Sequence, residues 1–254
     1  MSLNHNYLDQ FIRATEFAAY GASPFIGKGD KNAADKGAVD KMRSELNKID
    51  MVGKVVIGEG EMDEAPMLFI GENVGTKTGA EIDIALDPLE GTNFTAKNLP
   101  GAFSVIAVAE KGNLLSAPDT YMEKIVIGSN LPPNLLDLDN SVETNINLLA
   151  KAKNKKKEEL RACVLERPRH KEIINTLKKL KVKINFISDG DIAGALSVLG
   201  DNPKNDIYLG TGGGPEGVIT AAALSCYGGQ IQGRLILDNK EISRAKNLGI
   251  KDFK

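Results

Sequence analysis

Histidine and cysteine are scarce in this chain of 254 residues, with two of each. Cys163 and Cys226 lie far apart and in no metal-like spacing, which argues against a disulfide scaffold or a zinc knuckle; both read as small core residues. Because His5 and His170 are the only histidines, a histidine-rich zinc site is out of reach, and a Ser-His-Asp triad would have to use one of these two. No run is apolar enough to form a signal core or to span a bilayer, so the cytoplasm is the expected location. A net charge of -2 gives no electrostatic footprint for nucleic acid or a membrane surface. The run Lys155-Lys156-Lys157 contains no aromatic residue and reads as part of a solvated helix, not a nucleic-acid patch. Fixed-period repeats and low-complexity tracts are also missing.

What the chain does have is ordinary globular composition, 42% hydrophobic and 26% charged, enough for a sizeable core in two lobes. The composition shift through Pro132-Pro133 and the Asn-rich and Lys-rich segments after it sets the expected lobes at 1–150 and 151–254. With histidine and cysteine so few, carboxylates must carry the chemistry. The densest case is Ile82-Asp83-Ile84-Ala85-Leu86-Asp87-Pro88-Leu89-Glu90-Gly91-Thr92. Ile82, Ile84 and Leu86 alternate as strand residues do, Pro88 is expected to end the ladder, and Gly91 permits close backbone approach. Asp87 and Glu90 can then face one point beside the Thr92 hydroxyl. Carboxylates suit a hard divalent cation, and turn amides suit a phosphate oxygen.

Helical spacing predicts a first helix over about 6–23, and a second through Val39, Met42 and Leu46, opened by a turn with Asp30 as N-cap. Lys31 and Asp35 fall in its first turns, one suited to an anion and the other to a cation. The short strand Val55–Ile57 runs into an acidic segment holding Glu59, Glu61 and Asp63. An exposed acidic turn is the common reading of such a run, but Gly58 and Gly60 flank Glu59 as they would beside a ligand. Strands are expected at 103–109 and 125–127, the second continuing the sheet of the first.

In the second half, strand Ala162–Leu165 ends at Arg167-Pro168-Arg169-His170, a possible phosphate grip because guanidinium forks match phosphate oxygens. Asp189 and Asp191 open a later helix, as caps or as acceptors for sugar hydroxyls. Gly212, Gly214 and Gly217 satisfy G-x-G-x-x-G with Asp238 about 20 residues on, the spacing of a dinucleotide site. Glu216 opposes that reading, since it would put an anion where the pyrophosphate should sit, unless a cation lies between them.

The segments GKGDKNAAD, VVIGEGEMDEAPM, DIALDPLEGT, APDTYMEK, RPRH, SDGD and GTGGGPEGV, in this order, resemble class II fructose-1,6-bisphosphatase of the GlpX type, within the lithium-sensitive, metal-dependent phosphatases. The resemblance implies an α/β fold, a layered α/β/α/β/α sandwich of the sugar phosphatase type with mixed sheets in two lobes. It also implies hydrolysis of fructose 1,6-bisphosphate, with two or three Mg²⁺ or Mn²⁺ ions held by Asp35, Glu59, Asp87, Glu90 and Glu216. Thr92 matches the catalytic threonine, with Glu61 and Asp63 beside it. Lys31, Glu90, Gly91, Thr92, Tyr121, Arg167, Arg169, His170, Asp189, Asp191 and Gly213 match substrate contacts. A homo-oligomer is expected. Two departures stand out: lysine at position 28, where the family usually has arginine, and a chain ending at Lys254 where the family continues, which predicts an incomplete second lobe. The alternatives are a related sugar bisphosphatase acting on sedoheptulose 1,7-bisphosphate, an inositol phosphatase, a dinucleotide-binding protein using the Gly212–Gly217 loop, and a non-catalytic sugar-phosphate sensor.

Overall fold

A computed structural model describes residues 6–58, 68–247 and 250 of the chain. These fall into two compact units that divide between Asp119 and Thr120. In the first unit, α1 (Asn6–Ala22) packs on α2 (Lys31–Leu46), and four strands follow: β1 (Met51–Ile57), β2 (Asn73–Val74), β3 (Ala80–Glu90) and β4 (Phe103–Glu110), with the single helical turn α3 (Thr92–Ala96) between the last two. The sheet order is β2-β1-β3-β4. β1 and β3 are parallel while the two outer pairings are antiparallel. The apolar stripe read from the sequence is the one buried: Phe11, Ala14 and Ala18 of α1 meet Val39, Met42 and Leu46 of α2 over Ile82, Ile84 and Leu86. Close approach of the two helices depends on Gly21 and Gly37, because a Cβ on either would run into the other's carbonyl oxygen.

Pro88 does not end the ladder. β3 continues to Glu90, and its pairing with β4 shifts register between Asp87 and Glu90, where Glu90 meets Phe103. Proline has no N–H to give, and a register shift is one way a strand accommodates that loss.

The second unit holds β5 (Tyr121–Ile127), α4 (Val142–Ala152), β6 (Arg161–Leu165), α5 (Lys171–Lys179), β7 (Lys183–Ile187), α6 (Asp191–Leu196), β8 (Ile207–Gly213), α7 (Gly214–Tyr227), β9 (Gln230–Ile236) and α8 (Asn239–Asn247). Its sheet order is β7-β6-β8-β5-β9, with β6 parallel to both neighbours and β5 antiparallel to both of its own. β5 therefore belongs to the second sheet instead of continuing the first. This moves the unit boundary to 119/120, ahead of the 150/151 expected from composition. α4, read from sequence as solvated, buries Asn145, Ile146, Leu149 and Ala150. Ile146, Leu149 and Ala150 join Ile125, Val164 and Leu209 in one core, while Val126, Cys163 and Tyr208 form another. No helix among the described residues is long and apolar enough to cross a membrane.

Candidate active site

In the first unit, parallel pairing sets Ile57 of β1 opposite Ala85 of β3, so both strands finish at one edge of the sheet. β3 carries Asp87 and Glu90 to that edge. Asp87 is half-buried, and its Oδ1 accepts the Leu89 N–H at 2.9 Å, bridging the proline between them. Glu90 is 6% exposed. Gly91 then takes φ 80°, a left-handed conformation that favours glycine, and a Cβ there would press on the Phe94 ring. The turn places Thr92 at the head of α3, with the Phe94 N–H donating to the Gly91 carbonyl at 2.8 Å.

The segment leading into α2 lies on this same turn. The Gly27 N–H donates to the Thr95 carbonyl and the Gly29 N–H to the Ala96 carbonyl, each at 2.9 Å. Asp30 caps α2 as expected, its Oδ1 accepting the Ala33 N–H at 2.9 Å. Two motifs about 60 residues apart in sequence are thus joined by backbone hydrogen bonds, with exposed Lys31 following the cap. One turn further along α2, Asp35 Oδ1 is buried without a hydrogen-bond partner. Burial pushes its pKa above the ordinary aspartate value.

Glu59, Glu61 and Asp63 lie outside the described residues. Among the described residues, no group of three or more His, Cys, Asp or Glu side chains is gathered closely enough to hold a metal ion. The donor chemistry still fits a hard cation. Asp35, Asp87 and Glu90 offer only oxygens, and the orphaned Asp35 Oδ1 is a buried acceptor that a cation would satisfy.

In the second unit, β6 is parallel to β7 and β8, and the three finish at one edge. Leu165 pairs with Ile187, so Arg167 and Asp189 each follow two residues beyond that matched pair. Arg169 reaches from the same turn and donates through Nε and Nη2 to the Thr211 carbonyl at 2.9 and 2.8 Å. Its guanidinium lies 4.9 Å from the Tyr121 ring centroid, and Tyr121 pairs with Gly213 across β5 and β8. Tyr121, Arg169 and Gly213 thus form one patch, with Arg169 and Tyr121 exposed. Two guanidinium N–H groups are committed to Thr211, and the other three can face an anion.

Two expected contacts have other duties. His170 is 1% exposed. Its Nδ1 bonds the Leu165 carbonyl at 2.7 Å, and its Nε2 faces the Thr211 N–H at 2.7 Å. Only a neutral ring with Nδ1–H donating and Nε2 accepting satisfies both, so His170 clamps β6 to β8 and has no nitrogen left for phosphate. Asp191 is 8% exposed. Its carboxylate is ion-paired with Lys124 and accepts a hydrogen bond from the Tyr208 hydroxyl, so it serves the interior instead of sugar hydroxyls.

The glycine run has internal reasons too. A Cβ at Gly212 would strike the Asp191 carboxylate, one at Gly213 the Glu216 carboxylate, and one at Gly217 the Met122 sulfur. Gly212 and Gly217 of the motif thus have internal reasons that need no dinucleotide. Lys124 escaped the sequence reading, although a signal was available: in β5 it alternates with Met122 and Val126 on a face that is otherwise apolar.

A family profile described as "Bacterial fructose-1,6-bisphosphatase, glpX-encoded" matches residues 5–254. "Fructose-1,6-bisphosphatase class 2" of Haemophilus influenzae is 42% identical over 98% of this chain and 79% of its own length. "D-fructose 1,6-bisphosphatase class 2/sedoheptulose 1,7-bisphosphatase" of Synechocystis sp. is 43% identical over 90% of this chain and 70% of its own. Among solved structures, the extragenic suppressor protein suhB from Bartonella henselae aligns over 77% of this chain and 74% of its own at a TM-score of 0.41 and 11% identity. The chain belongs to the glpX-encoded bacterial fructose-1,6-bisphosphatase family.

Proposed function

We propose that this protein is a metal-dependent phosphoric monoester hydrolase that cleaves fructose 1,6-bisphosphate to fructose 6-phosphate and inorganic phosphate, a step of gluconeogenesis. One observation carries the reading: in a chain of this family, the Gly27–Lys31 segment is hydrogen-bonded onto the turn that follows Asp87, Glu90 and Thr92. Asp35, Asp87 and Glu90 are the cation ligands in the first unit; in the second unit, taken by itself, Glu216 is a carboxylate suited to the same kind of ion. Two or three Mg²⁺ or Mn²⁺ ions held there would supply neutralisation of phosphate charge and activation of water.

The chain's own groups do the rest. Thr92 holds the attacking water at its hydroxyl, and Lys31 with the Gly91 and Thr92 amides receives phosphate oxygens. Arg167 and Arg169 hold the phosphate that is not cleaved, with Tyr121 and Gly213 beside Arg169 and with Asp189 accepting from the sugar. Binding energy from that remote phosphate fixes the reacting one and raises turnover. A sensor would gain nothing from Thr92. Sedoheptulose 1,7-bisphosphate is a second substrate, supported by the activity named for the Synechocystis relative. The same reading places the protein in the cytoplasm as a homo-oligomer, supported by the exposed Leu8, Ile12 and Tyr20 side chains on α1.

The test is phosphate release from fructose 1,6-bisphosphate, sedoheptulose 1,7-bisphosphate, fructose 1-phosphate and inositol 1-phosphate with Mg²⁺ or Mn²⁺. The bisphosphates should be cleaved far faster, and exhaustive chelation should abolish release. Equal rates on the monophosphates, or full activity after chelation, would sink the reading.

A further inference from the structure

Lys124 is 1% exposed in the middle of β5, between Met122 and Val126 on the same face. Burying an ammonium there forfeits its hydration, and replacing a buried ion pair with apolar side chains is often neutral or stabilising. Stability alone therefore gives weak reason for a lysine. Its contacts give a better one. Nζ is ion-paired with Asp191, which also accepts the Tyr208 hydroxyl, and Nζ donates to the Gly213 carbonyl at 2.6 Å. Asp191, itself held by the Tyr208 hydroxyl, holds the ammonium from one side, and the ammonium holds the backbone on the other.

That backbone position matters. Gly213 is the N-cap of α7, and no side chain caps the helix there. Glu216 lies in the first turn of α7, folded back so that its carboxylate occupies the space a Gly213 Cβ would fill. The glycines on either side make room for the arrangement: Gly212 clears the Asp191 carboxylate, and a Cβ on Gly217 would come within 3.4 Å of Lys124 Cδ. Burial first, and then the Asp191 charge, keep the Tyr208 hydroxyl protonated and hence a donor.

We propose that Lys124 is a positioning residue: by holding the Gly213 carbonyl it fixes the first turn of α7, and with it the Glu216 carboxylate, for a divalent cation. The inference rests on Glu216 being a cation ligand. It is tested on the full chain with Lys124→Met and with the charge-balanced pair Lys124→Met, Asp191→Asn, in which the asparagine oxygen can still accept from Tyr208. Glu216→Gln is the control. Mn²⁺ binding is measured by calorimetry without substrate, and kcat and KM are measured at saturating Mn²⁺. Displacing a partner that orients a ligand typically costs 10- to 100-fold in metal affinity. The folded double variant should weaken Mn²⁺ binding by about that factor and lower kcat, with KM for the bisphosphate within about twofold. Wild-type Mn²⁺ binding by the folded double variant would overturn the proposal. Loss of the fold, read by circular dichroism, would overturn it equally, because Lys124 would then be needed for folding and not for placing Glu216. Wild-type Mn²⁺ binding by Glu216→Gln would instead reject Glu216 as a ligand, whatever Lys124 does.

Discussion

Replacing His170 with alanine should destabilise the second unit by about 4–5 kcal/mol, with little direct effect on phosphate binding. The ring is 1% exposed and bonds the Leu165 carbonyl and the Thr211 N–H, each at 2.7 Å. Each net bond is worth about 1 kcal/mol, leaving the buried backbone partners unpaired adds about 1 kcal/mol or more, and the vacated ring space adds about 1–2. A pH signature follows. Burial, opposed in part by the backbone hydrogen bonds, holds the native pKa of His170 below the ordinary value of 6.5. At higher pH the ring is neutral in both states and contributes no slope. As pH falls below about 6.5, the unfolded chain takes up a proton that the native ring resists, and stability drops until pH passes the native pKa. Urea unfolding followed by circular dichroism between pH 7 and 5 should show this decline in the wild type. His170→Gln should lose the His170 part of the slope. If His170→Ala unfolded within about 1 kcal/mol of wild type while KM for the bisphosphate rose tenfold, the clamp would be rejected in favour of a phosphate contact.

Thr92→Ala should lower kcat by about 100-fold or more with KM changed little, and Thr92→Ser should recover part of the rate; an alanine variant with wild-type kcat removes Thr92 from the mechanism. Arg169→Ala should narrow the preference for fructose 1,6-bisphosphate over fructose 1-phosphate, whereas an equal loss on both would deny it the remote phosphate. Asp206 accepts from Lys153 at 2.8 Å, and from Lys155 and the Arg161 N–H at 2.9 Å each. Burial would raise its pKa, but these donors together hold it below the ordinary aspartate value. Its stabilisation is therefore full above about pH 4 and is lost as pH falls through the native pKa. Asp206→Asn should cost about 2–3 kcal/mol at pH 7 and much less near pH 2, read from urea midpoints.

Much of this is legible in the sequence. Helical spacing found α1 and α2 because Phe11, Ala14, Val39 and Met42 face one core, and the Asp30 cap was read from residue type and place alone. Local patterns failed where a distant partner decides the outcome. The alternation in β5 looks the same whichever sheet it joins, and only pairing with β8 and β9 assigns it to the second unit. Arginine and histidine in R-P-R-H are equally plausible phosphate groups on paper, yet the fold exposes Arg169 and encloses His170. Asp191 looked available because nothing near it in sequence announces Lys124, 67 residues earlier.

The placement of β5 has a consequence for synthesis. The strand at 121–127 pairs with 207–213 and 230–236, so it emerges long before either neighbour exists. At about 5–20 residues per second, the interval is on the order of ten seconds. Throughout it, the unpaired Met122, Ile125, Val126 and Ile127 form an aggregation-prone edge on the nascent chain. Lys124 interrupts that edge with a solvated charge until Asp191 and the Gly213 carbonyl are made; a charge buried at the end is then what keeps the strand soluble at the start.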